Sequence, residues 1–465
     1  MNIKEWLFTT DHKRVGILYL IGSIAAFAIA GVMALLMRAE LSTLGPTITA
    51  NPTQYNVWLY AHGAVMILGF QIPALTGFFA NFCIPLMIGA KDVAFPRVNA
   101  LSVWLFYVGI ILALLTFFVP DPPDVMWTGY PPYSTITTGN TALYSFTVLI
   151  LGFASIIGGV NFLTTIAYMR APGLTWNKLN IFVWCTLGAF VLQLIFVPVL
   201  GTAVTMISLD KYLGTHFFDP TRGGDVLTYQ NLFWFYSHPA VYVIFLPFFG
   251  VLFEIVATFS KNKIFNYKAV VYGGIGGIVA LGGEVWVHHL YVSGMVDWLR
   301  IGQMVTTLLI SVPVGLMLIG LVGTLYKGAI SFETPMLYAL GVLFLFLIGG
   351  LTGIPLAVTS LTLHLSDTYY VVGHFHYVMA VAGTFSIFAG VYYWFPKFTG
   401  KMYNEFWGKT GFWLTFIGTN MVFWTMMDIG VKGMPRRYYD YAHFPQFEGA
   451  HQFMTCLLYT SDAAD

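Results

Sequence analysis

The chain has 465 residues, of which 58% are hydrophobic and only 9% charged. Soluble domains carry about 25% charged residues, so this deficit excludes a soluble enzyme and indicates a membrane protein with many spans. A net charge of +1 gives no reason to expect nucleic acid or an acidic macromolecule as partner. Cys83, Cys185 and Cys456 lie too far apart for a disulfide framework or a CxxC metal site.

The chain opens with MNIKEWLFTTDHKR, which lacks the short apolar core of a cleavable signal peptide. Apolar runs of about 20 residues, the length that spans a bilayer, then recur. They predict helices near 15–37, 57–88, 98–119, 142–169, 180–207, 228–258, 269–293, 303–326, 334–357, 369–395 and 408–431. The stretch DPPDVMWTGYPPYS is a Pro-rich loop between the third and fourth. A twelfth run starts near His451 and breaks off. We read 1–455 as one transmembrane domain and 456–465 as an atypical tail, with YTSDAAD a truncation or a sequencing artefact. With the N-terminus inside, the inner segments hold fourteen Lys and Arg and the outer ones seven, so the positive-inside rule favours a cytoplasmic N-terminus.

Six of the eleven histidines fall inside predicted helices: His62, His238, His288, His289, His374 and His376. Ionisable residues at membrane depth are costly and mark functional sites. His62, His374 and His376 lie near the outer ends of their helices, and so do His288 and His289. His238 lies about ten residues, roughly 15 Å, down the sixth helix. All six therefore fall in the outer half of the bilayer. His374 and His376, two apart on one helix, point about 200° from each other and can serve two metal centres. His288 and His289 can join His238 around one ion. Three imidazoles suit copper, zinc or iron, and imidazole is a common axial ligand of haem iron.

The segments WFYSHPAVYV, WVHHLYVSG and DTYYVVGHFHYVM, together with YAHGAVM and KGMPRRY, resemble the largest subunit of haem–copper oxidases of the cytochrome c oxidase type, in order from about residue 8 to about 445. The resemblance implies an all-α membrane protein with the twelve-helix haem–copper oxidase fold, its last helix truncated here. It implies two haems, one low-spin and one high-spin, and one copper. By this resemblance His62 and His376 are the axial ligands of the low-spin haem, and His374 is that of the high-spin haem. His238, His288 and His289 are the copper ligands. Tyr242 is the tyrosine covalently linked to His238, supplying an electron and a proton to bound oxygen. Arg436 and Arg437 match a pair that binds haem propionates, a task suited to guanidinium donors. Trp127 matches a residue beside a propionate, and Arg38 one at the low-spin haem's periphery.

Asp92, in IGAKDVAFPRVN, matches the entrance of the family's acidic proton channel, and Asn81, Asn99, Asn161 and Ser155 match its lining. The glutamate that ends that channel is replaced by Ala240, preceded by Tyr236 and Ser237, a replacement shown by one branch of the family. The family's second route needs a lysine, which here is Met317, with Val314 in place of a threonine. Ser366, before Asp367, stands where a magnesium-site histidine is expected, and His364 is out of register.

Two enzymatic readings stay open on these residues. One is a respiratory terminal oxidase that reduces O2 to water with electrons from cytochrome c or quinol, coupled to proton translocation. The other is a nitric oxide reductase of the same superfamily, with NO as substrate and iron in place of copper. Tyr242 favours the first. Met317 and Glu284 favour the second, because a helix over 269–293 places Glu284 about 6 Å below His288 on the same face, within reach of the non-haem metal. An electron-transfer or haem-sensing protein without catalysis is a third class, which a copper triad disfavours. The expected partners are subunit II, bearing a dinuclear copper or cytochrome c domain, and subunit III. The expected location is a bacterial or archaeal inner membrane.

Overall fold

Lipid offers no hydrogen bonds to a peptide group, so a spanning segment must satisfy its own backbone, and a helix does so. The computed structural model describes residues 3–462, and among them the regular elements are helices. In chain order we label these α1 His12–Glu40, α2 Pro52–Ile88, α3 Pro96–Leu115, α4 Thr141–Tyr168, α5 Ile181–Leu213, α6 Val226–Ser260, α7 Ala269–Leu281, α8 Asp297–Leu325, α9 Thr334–Ala357, α10 Tyr369–Thr399, α11 Glu405–Val431 and α12 Glu448–Asp462. Ten of them, all but α7 and α12, are long and apolar enough to cross a membrane. Their ends lie within six residues of the positions expected from the apolar runs.

The expected helix over 269–293 is the exception. Regular helix ends at Leu281, and a turn then leads to a short 3-10 segment, Val287–Leu290. The sequence GGIGGIVALGG explains this, because each glycine weakens a helix. The same glycines let α7 lie close against α8: a Cβ on Gly274 would stand 2.7 Å from Met317 Sδ, and one on Gly277 2.8 Å from Pro313 Cβ. At the C-terminal end, α12 runs on through the expected tail to Asp462.

The chain divides into two compact units, one of Met1–Ala30 with Asn56–Pro247 and one of Gly31–Tyr55 with Phe248–Asp465. In the first, α4 packs between α3 and α5. In the second, α10 packs against both α9 and α11, and α11 also carries α12. Glycines permit the α10–α11 approach, as small residues do where membrane helices meet. A Cβ on Gly373 would collide with Met427 Cγ, and one on Gly430 with Tyr370 N. This holds the histidine-bearing stretch of α10 in a fixed seat. Helix α10 also widens into a π-helical turn over His376–Ala380, a distortion frequent at functional sites.

Candidate metal centre

In the second unit, His374 Nδ1 lies 2.9 Å from Gly349 O and 3.3 Å from Thr352 Oγ1, both on α9. A carbonyl oxygen only accepts, so Nδ1 carries the proton and Nε2 is the lone-pair nitrogen. A ligand imidazole is held in this way, its second nitrogen orienting the ring. Gly353 clears the space: a Cβ there would stand 2.9 Å from His374 Cε1. His376 is anchored differently. Its Nδ1 donates to Val372 O at 2.8 Å, within its own helix, and its ring stacks on Phe423 of α11 at 4.3 Å and 14°. The two neighbours thus share a tautomer, with Nε2 as acceptor, while taking separate anchors.

His288 and His289 occupy the 3-10 turn, their ring centroids 4.3 Å apart. Thr307 Oγ1 of α8 lies 3.2 Å from His288 Nδ1. Gln303 of α8 accepts from Val287 N at 3.4 Å, and Thr306 Oγ1 donates to Glu284 O at 3.3 Å, so α8 supports this turn. These contacts also correct the expectation for Glu284. With helix ending at Leu281, four residues no longer place it on a helix face with His288, and its side chain is exposed.

In the first unit, His62 Nδ1 donates to Ala30 O of α1 at 3.0 Å, again leaving Nε2 as the lone-pair nitrogen. The next residue, Gly63, faces Trp127, whose Cβ and Cγ would lie 3.1 Å from an added Cβ. Trp127 stands edge-on to Phe233 and Trp234 of α6, at 5.2 and 5.9 Å. His238, buried on α6, has Nε2 2.9 Å from the Tyr242 hydroxyl one turn further on.

The arginines differ from one another. Arg38 is 5% exposed, and its Nη2 donates to His451 O at 3.0 Å and to Thr455 Oγ1 at 3.1 Å. Its buried Nε and Nη1 meet no protein acceptor. Buried charged donors without acceptors are costly, so this guanidinium fits a polar edge of a bound group. Arg436 Nε and Nη2 both reach Asp367 Oδ1, at 3.0 and 2.8 Å, and its backbone N donates to Asp367 O. Burial acts to raise the Asp367 carboxyl, but the Arg436 charge and hydrogen bond, with Arg437 nearby, hold it below its ordinary value. Arg437 itself has φ 70°, an unusual backbone for a side chain of that size.

Asp92 lies in the loop between α2 and α3, where its Oδ1 accepts from Val93 N at 2.7 Å. Desolvation raises this carboxyl above its usual value, against the lowering effect of the Val93 amide and of His12. Asn81, Asn99 and Ser155 line a common cavity of about 30 Å³. Asn161 does not join its lining; its amide accepts from Phe95 N and donates to Phe95 O, tying down the loop. Gln193 does line the cavity, although nothing in its sequence neighbourhood marks it. Met317 is fully buried, its sulfur against Gly274, where no proton can be carried.

The family described as cytochrome c and quinol oxidase polypeptide I matches residues 14–460. This chain belongs to that family. It is 42% identical over 96% of its length to cytochrome c oxidase subunit 1 of Thermostichus vulcanus, covering 80% of that protein. It is 45% identical over 92% of its length to cytochrome c oxidase subunit 1 of a Synechocystis strain, covering 78% of it. A cryo-EM structure of a heme-copper terminal oxidase dimer shares the fold, with TM-score 0.86 at 19% identity over 97% of this chain and 82% of the other. The chain is accordingly an integral membrane subunit of a respiratory terminal oxidase, an oxidoreductase of the cytochrome c oxidase type that works with haems, copper and partner subunits. The nitric oxide reductase reading is not favoured: the relatives are oxidases, and the helix face that gave Glu284 its role is absent.

Proposed function

We propose that this subunit reduces O2 to water, O2 + 4 e⁻ + 4 H⁺ → 2 H2O, with electrons from cytochrome c or quinol. His62 and His376 are assigned to the low-spin haem, His374 to the high-spin haem, and His238, His288 and His289 to copper. Arg436, Arg437 and Trp127 attend the propionates, and Arg38 attends the low-spin haem's periphery. What supports the ligand assignments is the pinned Nδ1 of His62, His374 and His376, which presents Nε2 as the ligating atom in each. Imidazole nitrogens without carboxylates suit copper. When bound, these groups supply O2 binding and the transfer of electrons.

The chain's own part is to position, to donate and to deliver protons. The observation that carries the reading is the 2.9 Å contact between His238 Nε2 and the Tyr242 hydroxyl, which puts a phenol, a donor of both an electron and a proton, beside a proposed copper ligand. Protons enter past Asp92 from the inner side, since Met317 closes the lysine route. A cytoplasmic N-terminus, a bacterial inner membrane, and partners resembling subunits II and III complete the proposal; the excess of Lys and Arg on one side supports the orientation. The test is gas consumption by the purified complex: rapid O2 uptake with slow NO uptake, the former abolished in Tyr242→Phe. Faster NO than O2 consumption would overturn the reading.

A further inference from the structure

The cavity that Asn81, Asn99 and Ser155 share is also lined by Tyr19, Ser102 and Gln193. Most of its polar groups bond to one another. Asn99 Nδ2 donates to Asn81 Oδ1 at 2.6 Å, Tyr19 to Ser102 Oγ at 2.9 Å, and Ser102 Oγ to Asn99 O at 2.7 Å. Two buried oxygens stand apart from this mesh, Asn99 Oδ1 and Gln193 Oε1, and neither has a protein donor. Gln193 is 3% exposed. An amide buried in an apolar helix without a donor is costly, so the site calls for a small donor. A water needs about 10–15 Å³ and two to four polar partners. At about 30 Å³, with the side chains of Tyr19, Asn81, Asn99, Ser102, Ser155 and Gln193 in its lining, the cavity meets both needs.

Position gives the water a task. Ala171 N donates to Ile88 O, so the loop leading into α5 lies beside the end of α2, next to the Asp92 loop. Gln193 is twelve residues past Ile181, the first residue of α5, hence about 18 Å deeper than that end. Ala240, preceded by Tyr236 and Ser237, leaves no carboxylate where the family's channel ends, so hydroxyls and ordered water are left to carry the proton.

We propose that Gln193 is a positioning residue for proton uptake: its amide oxygen orients cavity water that passes protons inward from Asp92 beyond Asn81 and Asn99. Each water takes a proton on one side and releases one on the other, so the amide neither gains nor loses a proton. The inference rests on Asp92 being the point of uptake.

The test uses the whole oxidase complex in vesicles, with Gln193→Met, close in size but without a hydrogen bond, and Gln193→Leu beside it. Gln193→Glu keeps an acceptor oxygen as a rescue, and Asp92→Asn is measured in parallel. With haem spectra unchanged, Gln193→Met is expected to lower O2 turnover about tenfold, raise the solvent deuterium isotope effect and move the alkaline fall of activity to lower pH. Gln193→Glu is expected to restore most of the rate. Parental turnover, isotope effect and pH profile in both Gln193→Met and Gln193→Leu would overturn the inference. If Asp92→Asn is impaired in that case, the Asp92 reading stands alone; if it too is silent, both fall.

Discussion

The Tyr242 hydroxyl lies 2.9 Å from His238 Nε2, one helical turn away on α6, with the two rings 5.0 Å apart and edge-on. Residues four apart on a helix share a face, and α6 is buried along this stretch, so neither ring can easily turn away. Tyr242→Phe keeps the packing and removes the hydroxyl. We expect turnover to fall at least about 100-fold, as for loss of a positioned proton donor, with both haem spectra kept. If the rings are covalently joined, the peptide bearing them is lighter by one pair of hydrogens in mass spectrometry. A Phe variant with normal turnover would remove Tyr242 from the reaction.

Gly353 makes room for His374. A Cβ there would stand 2.9 Å from His374 Cε1, so Gly353→Val must push the ring off its contact with Gly349. Such overpacking costs about 1–3 kcal/mol. The expected result is loss of the carbon monoxide difference spectrum of the high-spin haem, with the low-spin haem, which we assign to His62 and His376, retained. An unchanged carbon monoxide spectrum would contradict the assignment of His374.

The ion pair of Arg436 with Asp367 makes a pH prediction. The carboxyl is held below its ordinary value of 3.8, so its contribution is present above that value and lost as pH falls through the lower folded value. The Asp367 side chain is 63% exposed, which limits the contribution to about 1 kcal/mol or less. Asp367→Asn should therefore lose haem slightly more readily near neutral pH, and its stability should respond less to acid below about pH 4. Identical acid titrations of haem absorbance in parent and variant would show that the pair contributes nothing.

Glu284 stands outside the proposed chemistry. It follows the end of α7 in a turn, with an exposed side chain. Glu284→Gln is expected to keep O2 turnover within about twofold, well short of the tenfold that about 1.4 kcal/mol of barrier represents. A tenfold loss would return the carboxylate to the active site.

The histidines stood out in the sequence as candidates because an ionisable residue in an apolar run is costly, and ten of the spans were legible from the length of those runs. Helix α7 was misjudged because hydropathy does not register the cost of GGIGG and GG in a helix. That error carried Glu284 with it, since its role was argued from helical spacing alone. Gln193 was missed for the opposite reason: a single glutamine among apolar residues has no motif, and only the cavity and its unmet oxygen distinguish it. Asn161 was grouped with the channel by its match to the family's lining; its two bonds to Phe95, which no sequence pattern marks, also give it a loop to hold.

The central claim is that three imidazoles of this chain, those of His238, His288 and His289, hold copper beside two haems. Copper and iron content of the purified complex, parent against His288→Ala, tests it most directly. The account predicts haem iron unchanged and one copper fewer in the variant, with turnover abolished and the low-spin haem spectrum intact. A third iron with no copper in the parent, or undiminished copper in His288→Ala, would contradict it.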